Sequence, residues 1–152
     1  MKNTEPYQIM QIGLEDYPRC SAIWNMETFP YTRQFREQIA AGVREVFILT
    51  VGGAYTAECD LVTHNPEYGT VPGERLYLSR LIVRKDCRGQ GYGRALTAYL
   101  LELARQRGYR EIALGVDVDN LPALGLYRSL GFTVYEEAED MDGRFYRMEK
   151  RL

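Results

Sequence analysis

Three glycines alternate along a short polar segment, Arg88-Gly89-Gln90-Gly91-Tyr92-Gly93-Arg94. It follows an aliphatic run and precedes a helical pattern in which Leu96, Tyr99, Leu100 and Leu103 share one face. Glycine lets the backbone approach a ligand closely, and a helix N-terminus carries partial positive charge. Such a turn suits a phosphate group bound by backbone N–H groups. A plain strand–helix turn is the simpler interpretation, and the pattern matches neither a Walker A loop nor a dinucleotide fingerprint.

A second segment, residues 120–127 (NLPALGLY), is followed by Gly131-Phe132. Asp119 or Asn120 caps the start of a predicted helix, and proline suits its first turn. Tyr127 lies on the apolar stripe of this helix. A place in the core therefore explains Tyr127 as readily as a chemical role does.

Strands and helices alternate around these two segments. The hydrophobic patterns predict strands at Tyr7–Ile12, Arg44–Val51, Ala54–Val62, Arg75–Val83, Glu111–Val118, Phe132–Glu136 and Phe145–Lys150. They predict helices at Glu15–Trp24, Thr32–Ala41 (capped by Thr32), Gly91–Arg107 and Asn120–Leu130. The order β-α-α-β-β-β-α-β-α-β-β predicts an α/β fold, with a mixed sheet of about seven strands flanked by about four helices. The absence of a linker predicts a single domain over residues 1–152.

Composition narrows the function classes. The 152 residues carry a net charge of −2, which argues against a general nucleic-acid binder. Cys20, Cys59 and Cys87 lack metal-ligand or redox spacing, and His64 is the one histidine, so we expect no metal site and no disulfide framework. The polar N-terminus lacks the apolar core of a signal peptide, and no aliphatic run is long enough to span a bilayer. We therefore expect a cytoplasmic protein without membrane contact.

Together, the two segments resemble the motifs of the GNAT superfamily of acyl-CoA-dependent N-acyltransferases. The family's phosphate motif reads Arg/Gln-x-x-Gly-x-Gly/Ala, and its later motif places Asn, Ala and Tyr at fixed spacing. The matching residues are Arg88, Gly91 and Gly93 in the first motif, and Asn120, Ala123, Tyr127 and Gly131-Phe132 in the second. The specific motifs span Leu76 to Phe132, and the element order extends the resemblance over nearly the whole chain.

The resemblance implies that acetyl-CoA is the acyl donor and that no metal takes part. The pantetheine arm would pair with backbone groups of the strand before the glycine turn, at Leu81, Ile82 and Val83. The pyrophosphate would contact the backbone N–H groups of Arg88, Gly89, Gln90, Gly91, Tyr92, Gly93 and Arg94. Asn120 would touch the pantetheine arm or order the neighbouring strand.

The resemblance also implies direct transfer of acetyl from sulfur to an amine. A neutral amine attacks the thioester carbonyl, and a backbone N–H near Ile82 or Val83 stabilises the oxyanion. Tyr127 resembles the family's general acid, which gives its proton to the leaving thiolate. A phenol with a pKa near ~10 is protonated at neutral pH and suits that step.

The general base is where the chain departs from many members. They often carry Glu or His where Tyr77 and Ser79 stand here, on the acceptor side. Our candidate base is Glu58, acting through water, and Asp60 shares its face of the strand. Glu27 is a further acceptor-site candidate. A solvated surface charge is the simpler interpretation of each carboxylate, and the amine could also lose its proton to solvent.

The predicted function is an N-acetyltransferase that transfers acetyl from acetyl-CoA directly to a primary amine of a small molecule. Acidic side chains would attract a cationic acceptor, and the long loop from His64 to Gly73 would cover it. The alternatives are acetylation of a protein N-terminus or lysine, and a non-catalytic acetyl-CoA-binding domain. Many members of the superfamily are dimers, so a homodimer is compatible with the resemblance. The acceptor and the acyl chain length stay open.

Overall fold

The computed structural model describes residues 6–152. Its strands are β1 (Tyr7–Ile12), β2 (Arg44–Val51), β3 (Ala54–Val62), β4 (Arg75–Val83), β5 (Glu111–Asp117), β6 (Thr133–Asp140) and β7 (Gly143–Arg151). Its α-helices are α1 (Thr32–Ala40), α2 (Tyr92–Gln106) and α3 (Leu121–Ser129), and 3₁₀ helices cover Tyr17–Ala22, Pro66–Tyr68 and Lys85–Cys87. One sheet has the order β1-β2-β3-β4-β5-β7-β6. The predicted α/β class with a seven-stranded sheet is confirmed.

The sheet is mixed, as the element order predicts. β4 and β5 pair in parallel, whereas β1–β2, β2–β3, β5–β7 and β6–β7 pair antiparallel. The chain groups into two compact units, one of Met1–Val62 with Arg80–Leu100 and the other of Thr63–Ser79 with Leu101–Leu152. The single domain over residues 1–152 stays a prediction.

Some predicted elements have a different form. The segment Glu15–Trp24, predicted to be a helix, forms a 3₁₀ helix over Tyr17–Ala22. Pro18 stands in its first turn and supplies no N–H for a regular α-helix. The short helix holds Tyr17 buried. The prediction that Thr32 caps α1 is wrong. Tyr31 occupies the cap position before the helix, and Thr32 Oγ1 donates instead to the carbonyl of Met26 at 2.8 Å. In place of about four helices, residues 6–152 contain three α-helices and three 3₁₀ helices.

A bulge in the β2–β3 hairpin sets the faces of the first unit. The turn at Gly52-Gly53 has φ values of 58° and 82°, which suit a two-residue hairpin loop. The pairing then shifts by one residue between Leu49 and Thr50, so Val46 lies opposite Asp60. On one side of these strands lies an apolar core that includes Ile12, Tyr17, Cys20, Ile23, Met26, Phe35, Val46, Ile48 and Tyr55.

In the second unit, β4 begins beside β5, with Arg75–Tyr77 paired to Glu111–Ala113. Buried Arg75 connects this region, because its guanidinium contacts Glu149 at 2.8 Å and Glu111 at 3.2 Å. α3 begins at a capping residue, since Asn120 Oδ1 accepts the N–H of Ala123 at 3.3 Å. The predicted Asn120 cap is confirmed.

The loop from His64 to Gly73 packs through Tyr68. The Tyr68 ring stacks on Tyr77 with 4.2 Å between ring centroids, and Arg75 Nε donates to the Tyr68 carbonyl at 2.7 Å. A side chain at Gly115 of β5 would overlap the Tyr68 hydroxyl and lie 3.1 Å from Tyr68 Cζ. Tyr68 is buried, so it has little room to move aside. The packing of Tyr68 against β5 therefore requires glycine at position 115.

We expect Gly115→Ala to lower the free energy of unfolding by about 1–3 kcal/mol, the usual cost of overpacking. Urea denaturation measures the change. Gly125→Ala is the matched control, because nothing lies within 4 Å of a side chain there and alanine favours a helix by about 0.5–1 kcal/mol. Equal effects of the two substitutions would show that Tyr68 does not occupy this space in solution.

Candidate functional site

The glycine turn, residues 88–94, has the backbone that its sequence predicts. Gly89 and Gly91 have φ values of 79° and 90°, a region that side chains disfavour. The N–H of Ala95 bonds to the carbonyl of Gly91 at 3.0 Å, so α2 begins here and continues for 15 residues. The turn therefore ends at the N-terminus of a long helix, where the helix dipole favours an anion.

The start of α2 packs against the end of β4 at Gly93, where a Cβ would be in ordinary contact with β4. A Cβ at this position would lie 3.4 Å from Val83 Cγ2 and 3.8 Å from Leu81 Cδ2. Arg88 Nε also donates to the Val83 carbonyl at 3.0 Å, which ties the turn to the end of β4. The structure thus brings four predicted cofactor-binding residues together, Leu81, Val83, Arg88 and Gly93.

Within β4, Arg80 has a φ of 66°, the left-handed region. This conformation is costly for a residue with a side chain and changes the direction of a strand. Leu81, Ile82 and Val83 follow immediately and are half-buried. Ile82 packs against the apolar core of the first unit.

Glu58 and Asp60, here called the carboxyl pair, lie on β3 and are both 0% exposed. Trp24 Nε1 donates to Glu58 Oε1 at 2.8 Å. Arg44 Nη1 donates to Asp60 Oδ2 at 2.6 Å. The interpretation of these two carboxylates as solvated surface charges is therefore wrong. Both carboxyl groups are buried, and each is bonded to a specific side chain, Trp24 or Arg44.

The side chain of Arg80 lies among aromatic rings beside the carboxyl pair. Its guanidinium is 4.4 Å from the ring centroid of Trp24 and 4.2 Å from that of Phe29. Burial lowers the pKa of Arg80, while the charges of Glu58 and Asp60 act against that shift. Within residues 6–152, Arg80 Nε is buried without a hydrogen-bond partner.

The electrostatics around Asp60 favour a bound proton. Burial raises the pKa of Asp60 well above its ordinary value; the charge and hydrogen bond of Glu58 raise it further, and Arg44 opposes the shift. Burial also raises the pKa of Tyr17 and of Cys20, with Glu58 contributing to both. These two groups are therefore neutral at physiological pH.

Glu27 occupies a different position from the carboxyl pair. It is exposed and, with Trp24, lines a cavity of about 370 Å³ formed by residues 21–27. Trp24 thus borders this cavity and bonds to buried Glu58. An acceptor in the cavity would lie beside a tryptophan that contacts the candidate base.

The remaining candidates fall in varied surroundings. Tyr77 is half-buried in its stack with Tyr68, and Ser79 is buried. His64 is exposed, in the loop before the 3₁₀ helix Pro66–Tyr68. The Cys87 thiol contacts Arg84 Nη2 at 3.2 Å.

Tyr127 is buried in α3 and makes an edge-to-face contact with Phe132, with 5.7 Å between ring centroids. Its predicted place on the apolar stripe of the helix is therefore correct. Asn120 caps the same helix through Oδ1. Their roles toward acetyl-CoA stay predictions.

Comparison with known proteins decides the family. The sequence profile described as "Acetyltransferase (GNAT) family" matches residues 7–132. The chain belongs to this family. The match includes both motifs and the five strands β1 to β5.

Individual relatives agree with the family. Human N-acetyltransferase 8B is 44% identical over 63 residues, which are 41% of this chain and 28% of that protein. The crystal structure of the Escherichia coli ribosomal-protein-S18-alanine N-acetyltransferase has a TM-score of 0.80 at 25% identity, covering 96% of this chain and 94% of that one. An acetyltransferase of Salmonella typhimurium, solved with its cofactor acetyl-CoA, has a TM-score of 0.71 at 21% identity, covering 96% and 94%.

The curated relatives are longer than the matched region. The chain spans between 18% and 41% of their length. Across residues 6–152, no three His, Cys, Asp or Glu side chains group in a way that would hold a metal ion. No helix in the described part of the chain is long and apolar enough to cross a membrane.

Arg44, Arg80 and Tyr17 are site residues that sequence reasoning missed. Alternation along β3 places Glu58 and Asp60 on one face, but a straight hairpin would set Cys59 opposite Val46. The bulge sets Asp60 there instead. An arginine within the otherwise uncharged stretch Leu76–Val83 was the available signal for Arg80.

We expect Asp60 to make stability fall as pH rises. Its pKa is raised above the value of an unfolded aspartate, roughly 3.9, so the folded protein holds a proton that the unfolded chain releases. The free energy of unfolding contributed by Asp60 is greatest below pH about 4 and is lost as pH rises through the folded pKa. Urea denaturation across this range should show the fall in the wild type and not in Asp60→Asn. Parallel curves would contradict the burial of a protonated Asp60.

Proposed function

We propose that the protein is an N-acetyltransferase that transfers acetyl from acetyl-CoA directly to a primary amine of a small molecule. The observation that carries this proposal is the glycine turn, with left-handed Gly89 and Gly91 at the N-terminus of α2. Family membership supports it, since the match includes the turn. The solved Salmonella relative holds acetyl-CoA as its cofactor, which supports the same donor here.

The donor site of this proposal uses backbone groups. The N–H groups of residues 88–94 bind the pyrophosphate, where the helix dipole adds positive potential. Backbone groups of Leu81 and Val83 pair with the pantetheine arm, and Asn120 contacts that arm or orders β5. A backbone N–H near Ile82 or Val83 stabilises the oxyanion of the tetrahedral intermediate. Left-handed Arg80 supports this assignment, because it re-aims the backbone groups that follow it.

The acceptor site of this proposal lies at the cavity lined by residues 21–27. Glu27 stands at this cavity as a negative charge for a cationic amine. Glu58 accepts the amine proton through water, because its complete burial prevents direct contact with an acceptor in the cavity. Tyr77 and Ser79 stay candidate acceptor contacts on the strength of their positions in β4 alone.

Tyr127 is the proposed general acid. Its phenol proton passes to the sulfur of CoA as the carbon–sulfur bond breaks, and solvent restores the proton afterwards. Edge-to-face packing on Phe132 fixes the ring, so one residue serves both packing and proton transfer. The same packing makes phenylalanine a conservative replacement for the test below.

A second candidate acceptor is a protein N-terminus. The Escherichia coli relative, with a TM-score of 0.80, is named for the alanine of ribosomal protein S18. A peptide acceptor would enter the same chemistry through its terminal amine. Comparing rates for short alanine peptides with those for small polyamines and amino acids separates the two acceptor classes.

The test of the proposed function has two stages. Calorimetric titration with acetyl-CoA should give micromolar binding near one molecule per chain, and thiol release over an amine panel should then identify acceptors. Binding without release for any amine or peptide would favour a non-catalytic acetyl-CoA-binding domain. Absence of binding would reject the donor assignment altogether.

We expect Tyr127→Phe to slow acetyl transfer by about 100-fold or more, the usual contribution of a general acid, without changing the Kd of acetyl-CoA. Thiol-release kinetics and calorimetry measure the two quantities. Tyr99→Phe, on the exposed face of α2, is the matched control and should leave both unchanged. Unchanged turnover in Tyr127→Phe would falsify the general-acid assignment.

Gly91→Val should raise the Kd of acetyl-CoA by about tenfold or more, since the side chain strains a φ of 90° and crowds the phosphate site. Gly52→Val carries similar strain at the β2–β3 hairpin, where φ is 58°. We expect Gly52→Val to lower stability and to keep the affinity. Equal loss of affinity in both variants would mean that strain alone explains the effect.

A further inference from the structure

The carboxyl pair contains two oxygen atoms that no donor satisfies. Within residues 6–152, Glu58 Oε2 and Asp60 Oδ1 are buried without a hydrogen-bond partner. The other oxygen of each carboxyl group is bonded, to Trp24 and to Arg44 respectively. Leaving an ionised oxygen buried without a donor is costly. Two such atoms on one strand face therefore require an explanation.

The two unsatisfied carboxyl groups are neighbours. Glu58 and Asp60 lie two residues apart on β3, so their side chains leave the strand on the same face. The charge of Glu58, and a hydrogen bond that forms only when a proton lies between the two groups, raise the pKa of Asp60. A carboxylate only accepts hydrogen bonds, so a bond between two carboxyl groups requires a proton on one of them. One proton placed between Oε2 and Oδ1 satisfies both atoms at once.

We propose that Asp60 is a positioning residue for Glu58, and that the two carboxyl groups act as one base that holds the acceptor's proton between Glu58 Oε2 and Asp60 Oδ1. This inference rests on the proposed function, because it assigns the proton to an amine acceptor. It adds to that function a second carboxyl group that sets the proton affinity of the first.

The surroundings of the carboxyl pair suit this role. Arg44 from β2 bonds to Asp60, and Arg80 from β4 places a second positive charge nearby. The 3₁₀ helix Tyr17–Ala22 contributes Tyr17 and Cys20, both neutral because burial raises their pKa. At a pH above the folded pKa of Asp60, these two positive charges balance two ionised carboxylates before the acceptor's proton arrives. Burial and the charge of Glu58 both raise the pKa of Asp60, which makes it a stronger proton acceptor, as a general base requires.

The proton of the acceptor amine passes through water to the carboxyl pair. The N–H bond of the attacking amine breaks, its electron pair stays on nitrogen, and a water molecule carries the proton to Glu58. An O–H bond forms on the pair and is shared with Asp60. After the thiol leaves, the pair returns its proton to solvent and both carboxylates are again ionised. No oxidant, reductant or metal is needed.

Trp24 provides a direct readout of this proton. It is the one tryptophan in the chain, and its indole N–H bonds to Glu58. Its fluorescence should therefore change as the pair titrates, in wild-type protein without acetyl-CoA or acceptor. We expect one transition centred above the ordinary range of Asp and Glu, roughly pH 4. An infrared band of a protonated carboxyl group should disappear over the same pH range.

Asp60→Asn separates a shared proton from independent carboxylates. Asparagine keeps a hydrogen-bond donor beside Glu58 and removes the carboxyl group whose pKa is raised, so the shared titration should leave its raised pH range. We expect the fluorescence transition and the acid limb of the kcat/KM profile to move together to lower pH by about one unit or more. The kcat should fall while the Kd of acetyl-CoA is unchanged. Asp142→Asn, in the exposed β6–β7 turn, is the matched control and should change none of these quantities.

These measurements distinguish the shared proton, the role of Asp60 and the proposed function from one another. A single wild-type transition above the ordinary carboxyl range, shifted down in Asp60→Asn and lost in Glu58→Gln, supports the shared proton. A wild-type protein with no transition above about pH 4–5 and no infrared band overturns it, even where a variant fails to fold. If the transition is present but no amine is acetylated, the shared proton stands and the proposed function fails. If amines are acetylated with an unchanged pH profile in Asp60→Asn, the role of Asp60 fails alone.

Discussion

The first unit depends on the buried hydrogen bond that the charged Arg44 guanidinium donates to Asp60. A charge removed from water must be paired or it destabilises the fold, so the 2.6 Å contact fixes how β2 and β3 face one another. The hairpin bulge gives Asp60 its place opposite Val46, next to that arginine's end of β2. Once Asp60 is buried, Glu58 is buried on the same face. Trp24, which donates a hydrogen bond to Glu58, then orders the segment that borders the cavity.

The glycine turn and the carboxyl pair are held in place by different features of the structure. The glycine turn relies on backbone conformation: left-handed glycines, a helix start and the packing of Gly93 against β4. The carboxyl pair relies on side chains taken out of solvent and held by indole and guanidinium groups. The first region therefore depends on glycine spacing within one short segment, and the second on residues that are far apart in the chain.

Most strand bounds and the helix α2 could be predicted, because alternation, turn glycines and a leucine stripe are local signals. The glycine turn was predictable for the same reason. The bulge was not, since β3 is buried on both faces and a one-residue shift leaves its apolar pattern unchanged. Burial of Glu58 and Asp60 was also missed, because charged residues are rarely buried unless paired. Their partners are distant in sequence, and only the folded chain brings Arg44 and Trp24 to them.

Arg80 limits how this site can vary. Glycine there would relieve the left-handed backbone but remove both the charge and the planar group that lies against Trp24 and Phe29. Lysine would keep the charge and lose the flat stacking surface. Each single replacement thus gives up one of three requirements: conformation, charge or shape. A replacement that meets all three requirements would need a matching change in the aromatic residues around it.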